Sequence, residues 1–268
     1  MKQIDLHNPF GGPVYHEECV SSTMDVSRAL AAAGEPSGTV IIADTQESGR
    51  GRRGRTWLSE KTGLMFTLYL DFNDFKSIPE ALTLRTGLAA ALAIEDFIPD
   101  FSGHVKIKWP NDIMLCSSKN ACKTAGVLAE CDGSKIFIGM GVNLLQQIFP
   151  AELQGKAGSL LSFFLDYFHD KKFPDVFYGV MHETAWLLLE KILSRINGEL
   201  NNPQWKNLLE ERLFKRGERI IFADGAAESQ ILISGVLTGI GDAGELLIIP
   251  DNESVPRAFV NGELKVYG

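Results

Sequence analysis

The sequence predicts an α/β fold of the α+β type: a mixed sheet flanked by helices, followed by a small all-β unit. Three observations carry this. Residues 79–98 are a long stretch rich in Ala and Leu, suited to a helix, and residues 174–196 read as another long helix. Residues 105–109, 113–116, 124–131 and 135–141 are strand-like runs with short Asn-, Asp-, Gly- and Ser-containing connections. Such connections favour antiparallel or mixed pairing over repeated βαβ units. After Lys215 the texture changes: residues 218–222, 229–237, 245–249 and 255–259 are short strand-like runs divided by Asp-Gly, Gly-Asp-Ala-Gly and Asn-Gly turns. That is the pattern of a small barrel or sandwich. A boundary near residues 212–217 divides the chain into 1–212 and 213–268.

Taken in order, residues 1–20 read as irregular, because Pro9, Gly11, Gly12 and Pro13 break any period. Ser21-Ser22-Thr23 precedes a helical stretch over 24–33 that stops at Gly34, so one of these hydroxyls is expected to cap it. Residues 39–43 read as a buried strand leading into Asp44-Thr45-Gln46, and 63–70 as a second strand. Pro79 suits the first turn of the next helix and Pro99 closes it. The helix over 174–196 is expected to stop at Asn197-Gly198, and a shorter one covers 203–214.

The chain has 268 residues, 45% hydrophobic and 22% charged, within the ordinary range of folded domains. A formal net charge of -8 and a pI near 5.2 argue against general nucleic-acid binding. No apolar run reaches the ~20 residues of a membrane span, and residues 1–10 carry no signal-peptide core, so a cytoplasmic protein is expected. Cys19, Cys116, Cys122 and Cys131 form no C-x-x-C pair and match no histidine spacing. Reduced thiols are expected, rather than a zinc site or disulfides. No side-chain cluster suggests a metal site.

Against this acidic background, Gly49-Arg50-Gly51-Arg52-Arg53-Gly54-Arg55-Thr56-Trp57 stands out. Four arginines so close repel one another, so the segment is expected to be mobile until an anion arrives. Glycine backbone can close around an oxyanion, and guanidinium forks suit phosphate or carboxylate. Trp57 offers a flat face for a purine. A solvated basic loop and a nucleic-acid patch are the competing readings. A third, the dinucleotide fingerprint Gly49-x-Gly51-x-x-Gly54, fails on context. It requires a helix at its last glycine, and the chain instead runs into another strand by Gly63.

Three further clusters follow. Lys108-Trp109-Pro110-Asn111-Asp112 sits at a strand end. It reads either as an Asn-Asp turn or as a pocket carboxylate at Asp112 that receives an ammonium or helps hold a metal. Lys123 precedes a buried strand, either solvated or serving as a point charge at a phosphate. Gly139-Met140-Gly141-Val142-Asn143 ends a strand with two glycines and an amide, which permits close ligand approach or simply a bend.

In this order the motifs make the chain resemble the biotin–protein ligases, from Ser21 to its end. The resemblance rests on Ser22-Thr23, Gln46, the arginine-glycine loop with Trp57, and Lys108-Trp109-Pro110-Asn111-Asp112. It continues through Lys123-x-Ala125-Gly126-Val127-Leu128-x-Glu130, Gly139-x-Gly141-Val142-Asn143 and Ala157-Gly158-Ser159-Leu160. It implies a class II synthetase-like catalytic sheet, shared with lipoate ligases, and an SH3-like barrel after it. It also implies an ATP- and Mg²⁺-dependent ligase: biotin is activated to biotinyl-AMP and passed to one lysine of a biotin carboxyl carrier domain.

By the same resemblance, Ser22, Thr23, Met24, Gln46, Arg50, Gly51 and Gly126 surround biotin. Arg52, Arg55 and Lys123 hold the carboxylate–phosphate junction. Trp57, Asn111 and Asn143 meet the nucleotide, and Asp112 orients the acceptor amine. Three positions depart from the family pattern: Met24 replaces a usual Asn, Thr124 an aliphatic residue, and Tyr267 a common Arg. The chain begins about where the catalytic domain does, so a ligase without operator binding is expected, with no nucleic-acid or membrane partner. A homodimer stays open. The rivals are a lipoate ligase, an RNA-binding module using the arginine loop, and a nucleotide-dependent oxidoreductase.

Overall fold

A computed structural model describes residues 1–168, 170–171, 174, 181–225 and 231–265. In chain order the main elements are β1 (Lys2–Ile4), β2 (Val14–Val20), α1 (Thr23–Ala32), β3 (Val40–Gln46), β4 (Gly63–Asp71) and α2 (Leu82–Phe97). Next come β5 (Val105–Lys108), β6 (Asp112–Cys116), β7 (Ala121–Asp132), β8 (Lys135–Asn143), α3 (Leu160–Tyr167), α4 (Met181–Glu199) and α5 (Trp205–Glu211). The last five strands are β9 (Arg219–Asp224), β10 (Ile231–Ile240), β11 (Leu246–Pro250), β12 (Arg257–Phe259) and β13 (Gly262–Lys265).

The first eight strands form one sheet in the order β1-β2-β3-β4-β8-β7-β6-β5. β2 and β3 pair parallel and the other neighbours antiparallel, which makes the sheet mixed as the short connections predict. The last five form a separate antiparallel sheet, β12-β11-β10-β9-β13.

The side-chain alternation of a strand assigns the two faces. On β4, Leu64, Phe66, Leu68 and Leu70 point into the main core with Leu88 and Ile94 of α2 and Leu188 and Ile192 of α4. Tyr69 points the other way, into a smaller cluster with Phe137 and with Met24 and Ala31 of α1. α2 and α4 therefore cover one face fully, whereas the ten residues of α1 cover only part of the other.

Several expectations are corrected. Residues 1–20 are not irregular throughout: β1 and β2 lie there, and β2 is recruited as a parallel neighbour of β3 despite Pro13 just before it. The helix expected from Pro79 starts at Leu82, behind Ala81 in the left-handed region at φ 54°, so Pro79 precedes it rather than opening it. Asn197-Gly198 do not stop α4, which continues to Glu199. Leu200 is buried just beyond, so packing there outweighs the weak helix propensity of Asn and Gly. The expected start of that helix falls partly on residues 175–180, and Tyr267 on the last three; these lie outside the described residues.

Candidate active site

The uncovered part of the sheet becomes a cavity of about 480 Å³. Its floor is glycine. Gly126 of β7 pairs with Gly141 of β8, and Gly139 pairs with Thr67 and Leu128, so three bare positions lie together on the face that α1 leaves open. A Cβ on Gly139 would press on Cε of Met24 at 2.9 Å, and one on Gly141 would overlap the Trp57 indole. The glycines let the side chains of helix and loop lie directly on the sheet.

α1 points its N-terminus at this floor. Ser22 caps it, its Oγ accepting from the Met24 N–H at 3.3 Å. Thr23 donates to Gln46 Oε1 from both its N–H, at 2.8 Å, and its hydroxyl, at 3.1 Å. Thr67 donates to the Thr23 hydroxyl at 2.9 Å. One polar wall is thus tied together from α1, β3 and β4.

The arginine loop folds back on itself. Gly51 N–H donates to Arg55 O at 2.7 Å and Trp57 N–H to Gly49 O at 2.9 Å. A single 3-10 turn spans Arg52–Gly54, with Arg53 at φ 57° and Gly54 at φ 70°. No α-helix follows, as the failure of the dinucleotide reading requires. The expected repulsion between arginines is met by partners from outside the loop. Arg50 pairs with Asp25, Arg53 donates to Gly225 O and Asn261 Oδ1 at 3.0 Å each, and Arg55 meets Glu263 at 2.9 Å. Arg52 donates to Asn111 Oδ1 at 3.3 Å. Its pKa is lowered by burial first and by the neighbouring Arg53 charge second.

The β5–β6 turn supplies the third wall. Its Trp109–Pro110 peptide is cis. Trp109 Nε1 donates to Gly244 O at 2.9 Å, which ties the turn to the second sheet. Asn111 donates to Val127 O at 2.8 Å. Asp112 and Lys123 form an ion pair at 2.6 Å, and the Lys123 Nζ lies 5.3 Å from the Trp57 ring centroid. Asn143 donates to Lys123 O and Gly158 O at 3.4 Å each, holding the end of β8 against both.

The residues to which the resemblance assigns a site role all border this one cavity: Ser22, Thr23, Met24, Gln46, Arg50, Gly51, Arg52, Arg55, Trp57, Asn111, Asp112, Lys123, Gly126 and Asn143. Three others had no role assigned. Lys108 lines the cavity from the end of β5, visible in sequence only as part of its motif. Thr67 marks the floor-facing side of β4 as a short polar residue in a buried run. Glu263 comes from β13 and is legible only once the second sheet is placed. Burial pushes its pKa up, but Arg55 outweighs this and holds it below the usual carboxylate range. The cysteines stand apart: all four are free thiols, and burial pushes Cys116 up to about 12 and Cys122 up to about 11.

Residues 17–143 match the model of the Biotin/lipoate A/B protein ligase family, a stretch that holds all fourteen of these positions. The match takes in a little under half of the chain. Among curated relatives, the biotin–[acetyl-CoA-carboxylase] ligase of Paracoccus denitrificans is 29% identical over 253 residues, 83% of this chain and 89% of that one. The bifunctional ligase/repressor BirA of Bacillus subtilis is 37% identical over 156 residues, 55% of this chain and 45% of that one. The chain spans about half the length of the ligase/repressors it matches. Among solved structures, the biotin protein ligase of Aquifex aeolicus in complex with biotin and ATP superposes with a TM-score of 0.71 at 26% identity, covering 94% of this chain and 97% of that one. The fold expected from the sequence, a biotin-ligase catalytic sheet and a second small β unit, is therefore the fold present.

Proposed function

We propose that this chain is a biotin–protein ligase that forms biotinyl-AMP from biotin and ATP and passes biotin to a lysine of a biotin carboxyl carrier domain. The observation that carries this is the junction of a glycine floor, an indole and converging cations in one cavity. A carboxylate and a triphosphate repel each other, and Arg52, Arg55 and Lys123 offset that charge where the two must meet. In the first step a carboxylate oxygen bonds to the α-phosphorus and pyrophosphate leaves. In the second the acceptor amine bonds to the acyl carbon and AMP leaves.

The Ser22–Thr23–Gln46 wall suits the polar end of biotin, with Met24, Gly51 and Gly126 lining the same space and Arg50 held beside it by Asp25. Trp57 covers the nucleotide, and Asn111 and Asn143 flank it. Lys123 is compensated by Asp112 in the free protein. Once anions draw Lys123 toward them, Asp112 is released to orient the incoming ammonium.

Asp112 and Glu263 are each engaged by a cation, so the donor set suits an anion. Mg²⁺ accordingly fits as an ion carried on the ATP phosphates, where it neutralises their charge. No helix among the described residues is long and apolar enough to cross a membrane. We place the reaction in the cytoplasm, with a carboxylase carrier as partner and no role for nucleic acid. We also set the domain boundary at residues 212/213, and leave a second copy of the chain as an alternative occupant of a sheet edge.

ATP–pyrophosphate exchange by the purified protein, with biotin, lipoate or no acid, tests the reading. Biotin-dependent exchange is expected. Exchange with lipoate alone would move the substrate to the lipoate branch of the family, and none with either would end the ligase reading.

A further inference from the structure

Lys108 ends β5 and is only 9% exposed, yet it lines the cavity. Its backbone carbonyl accepts from the Asn111 N–H at 3.2 Å, but among the described residues its ammonium has no hydrogen bond or ion pair. The carboxylates near it are already occupied: Asp112 by Lys123 at 2.6 Å, and Glu263 by Arg55 at 2.9 Å and Arg53 at 3.9 Å. Asp112 and Glu263 favour its charge from a distance, but each is in direct contact with another cation, so neither partners the ammonium. A buried ammonium without a hydrogen-bonding partner is expensive, and burial accordingly draws its pKa down.

Its position narrows the ligand. Lys108 stands directly across from Asp112 in the β5–β6 register, while Lys123 reaches the same Asp112 from β7. Two lysines thus approach one carboxylate from different strands. Lys123 lies at the indole over the glycine floor. Lys108 lies toward Glu263 and Arg55, on the side where the second sheet closes the cavity. An anion with a single phosphorus satisfies the first position. A polyphosphate chain is the chemistry that continues to the second.

We propose that Lys108 binds the β- and γ-phosphates of the nucleotide and holds the pyrophosphate as it departs. The step rests on the ligase reading above. As the carboxylate oxygen bonds to the α-phosphorus, the bond from that phosphorus to the bridging oxygen breaks. The bridging oxygen keeps the electron pair, and the growing negative charge is met by the Lys108 ammonium. A group with this role acts on adenylate formation and leaves the later acyl transfer, which involves no pyrophosphate, largely to other residues.

The test compares wild type, Lys108→Gln and Lys108→Arg in the full chain, with equal melting temperatures as the folding control. Inorganic pyrophosphate and AMP are titrated separately by calorimetry. Pyrophosphate affinity is expected to fall about tenfold or more in Lys108→Gln, the loss of a charged hydrogen bond, to recover in Lys108→Arg, and AMP affinity to change far less. Single-turnover formation of biotinyl-AMP should fall in parallel, and transfer from supplied biotinyl-AMP to a carrier domain should not. Unchanged pyrophosphate binding in Lys108→Gln, or an equal loss for AMP and for both half-reactions, overturns the proposal. If wild type binds pyrophosphate through Lys108 but makes no biotinyl-AMP, the biotin reading falls and the pyrophosphate site stands. If wild type makes the adenylate and Lys108→Gln matches it, the reverse holds.

Discussion

The two faces of the eight-stranded sheet are made by the same strands and are built in opposite ways. One is filled: Leu64, Phe66 and Leu68 of β4 interlock with α2 and α4. The other is stripped at its centre: Gly126, Gly139 and Gly141 leave a surface on which Met24 and Trp57 lie directly. Stability is thus concentrated on the first face and ligand shape on the second. Because alternate residues of one strand serve both, neighbours such as Phe66 and Thr67 answer to different demands.

Substitutions can break that division. Phe66→Ala, on the filled face, should have the largest effect on the fold: about 3–5 kcal/mol of unfolding free energy, read by denaturant titration. Its adenylating activity per folded molecule should change little. Lys123→Ala, on the open face, should do the opposite. Adenylate formation should fall about 10²–10³-fold with a nearly unchanged melting temperature. Near wild-type activity would remove Lys123 from the reaction.

Arg52→Ala should sharpen the contrast by loosening retention rather than chemistry, raising acceptor-independent labelling of bystander lysines about tenfold as adenylate escapes. Labelling confined to the proper carrier at the normal rate would remove Arg52 from that role.

The smallest effect belongs to Glu263. Its folded pKa is depressed, so the stability it contributes is present above the ordinary carboxylate value and lost as pH falls through the depressed one. Glu263→Gln should flatten that acid limb by less than about 1 kcal/mol, since its arginine partners are partly exposed. An unchanged acid limb in the variant would show that the Arg55 pair contributes nothing to folding.

The sheet, its helices and the small β unit were legible because their patterns are local: apolar runs of strand length, long helical stretches of which one is rich in Ala and Leu, and Gly-Asp turns. β1 and β2 were not, since β2 owes its place to pairing with β3, a contact that no local signal around Pro9 and Pro13 announces. The end of α4 was misplaced for a related reason, with packing around Leu200 carrying the helix past Asn197-Gly198. The candidate site was more legible than the fold's edges. Cation- and glycine-rich motifs are unusual in an acidic chain, and their order was itself informative. Glu263 escaped because it becomes a site residue only when β13 is brought to the arginine loop by the second sheet.

The glycine floor bears on how the protein can be altered. A pocket lined by side chains can be enlarged by trimming them, so new substrates are often admitted by exchanging a large residue for a small one. Here the floor is already at the limit of that operation, and glycine has nothing left to remove. A bulkier acid can be accommodated only from the rim, by shortening Met24 or Thr67 or by moving Trp57, and each substitution on the floor itself narrows the range of substrates.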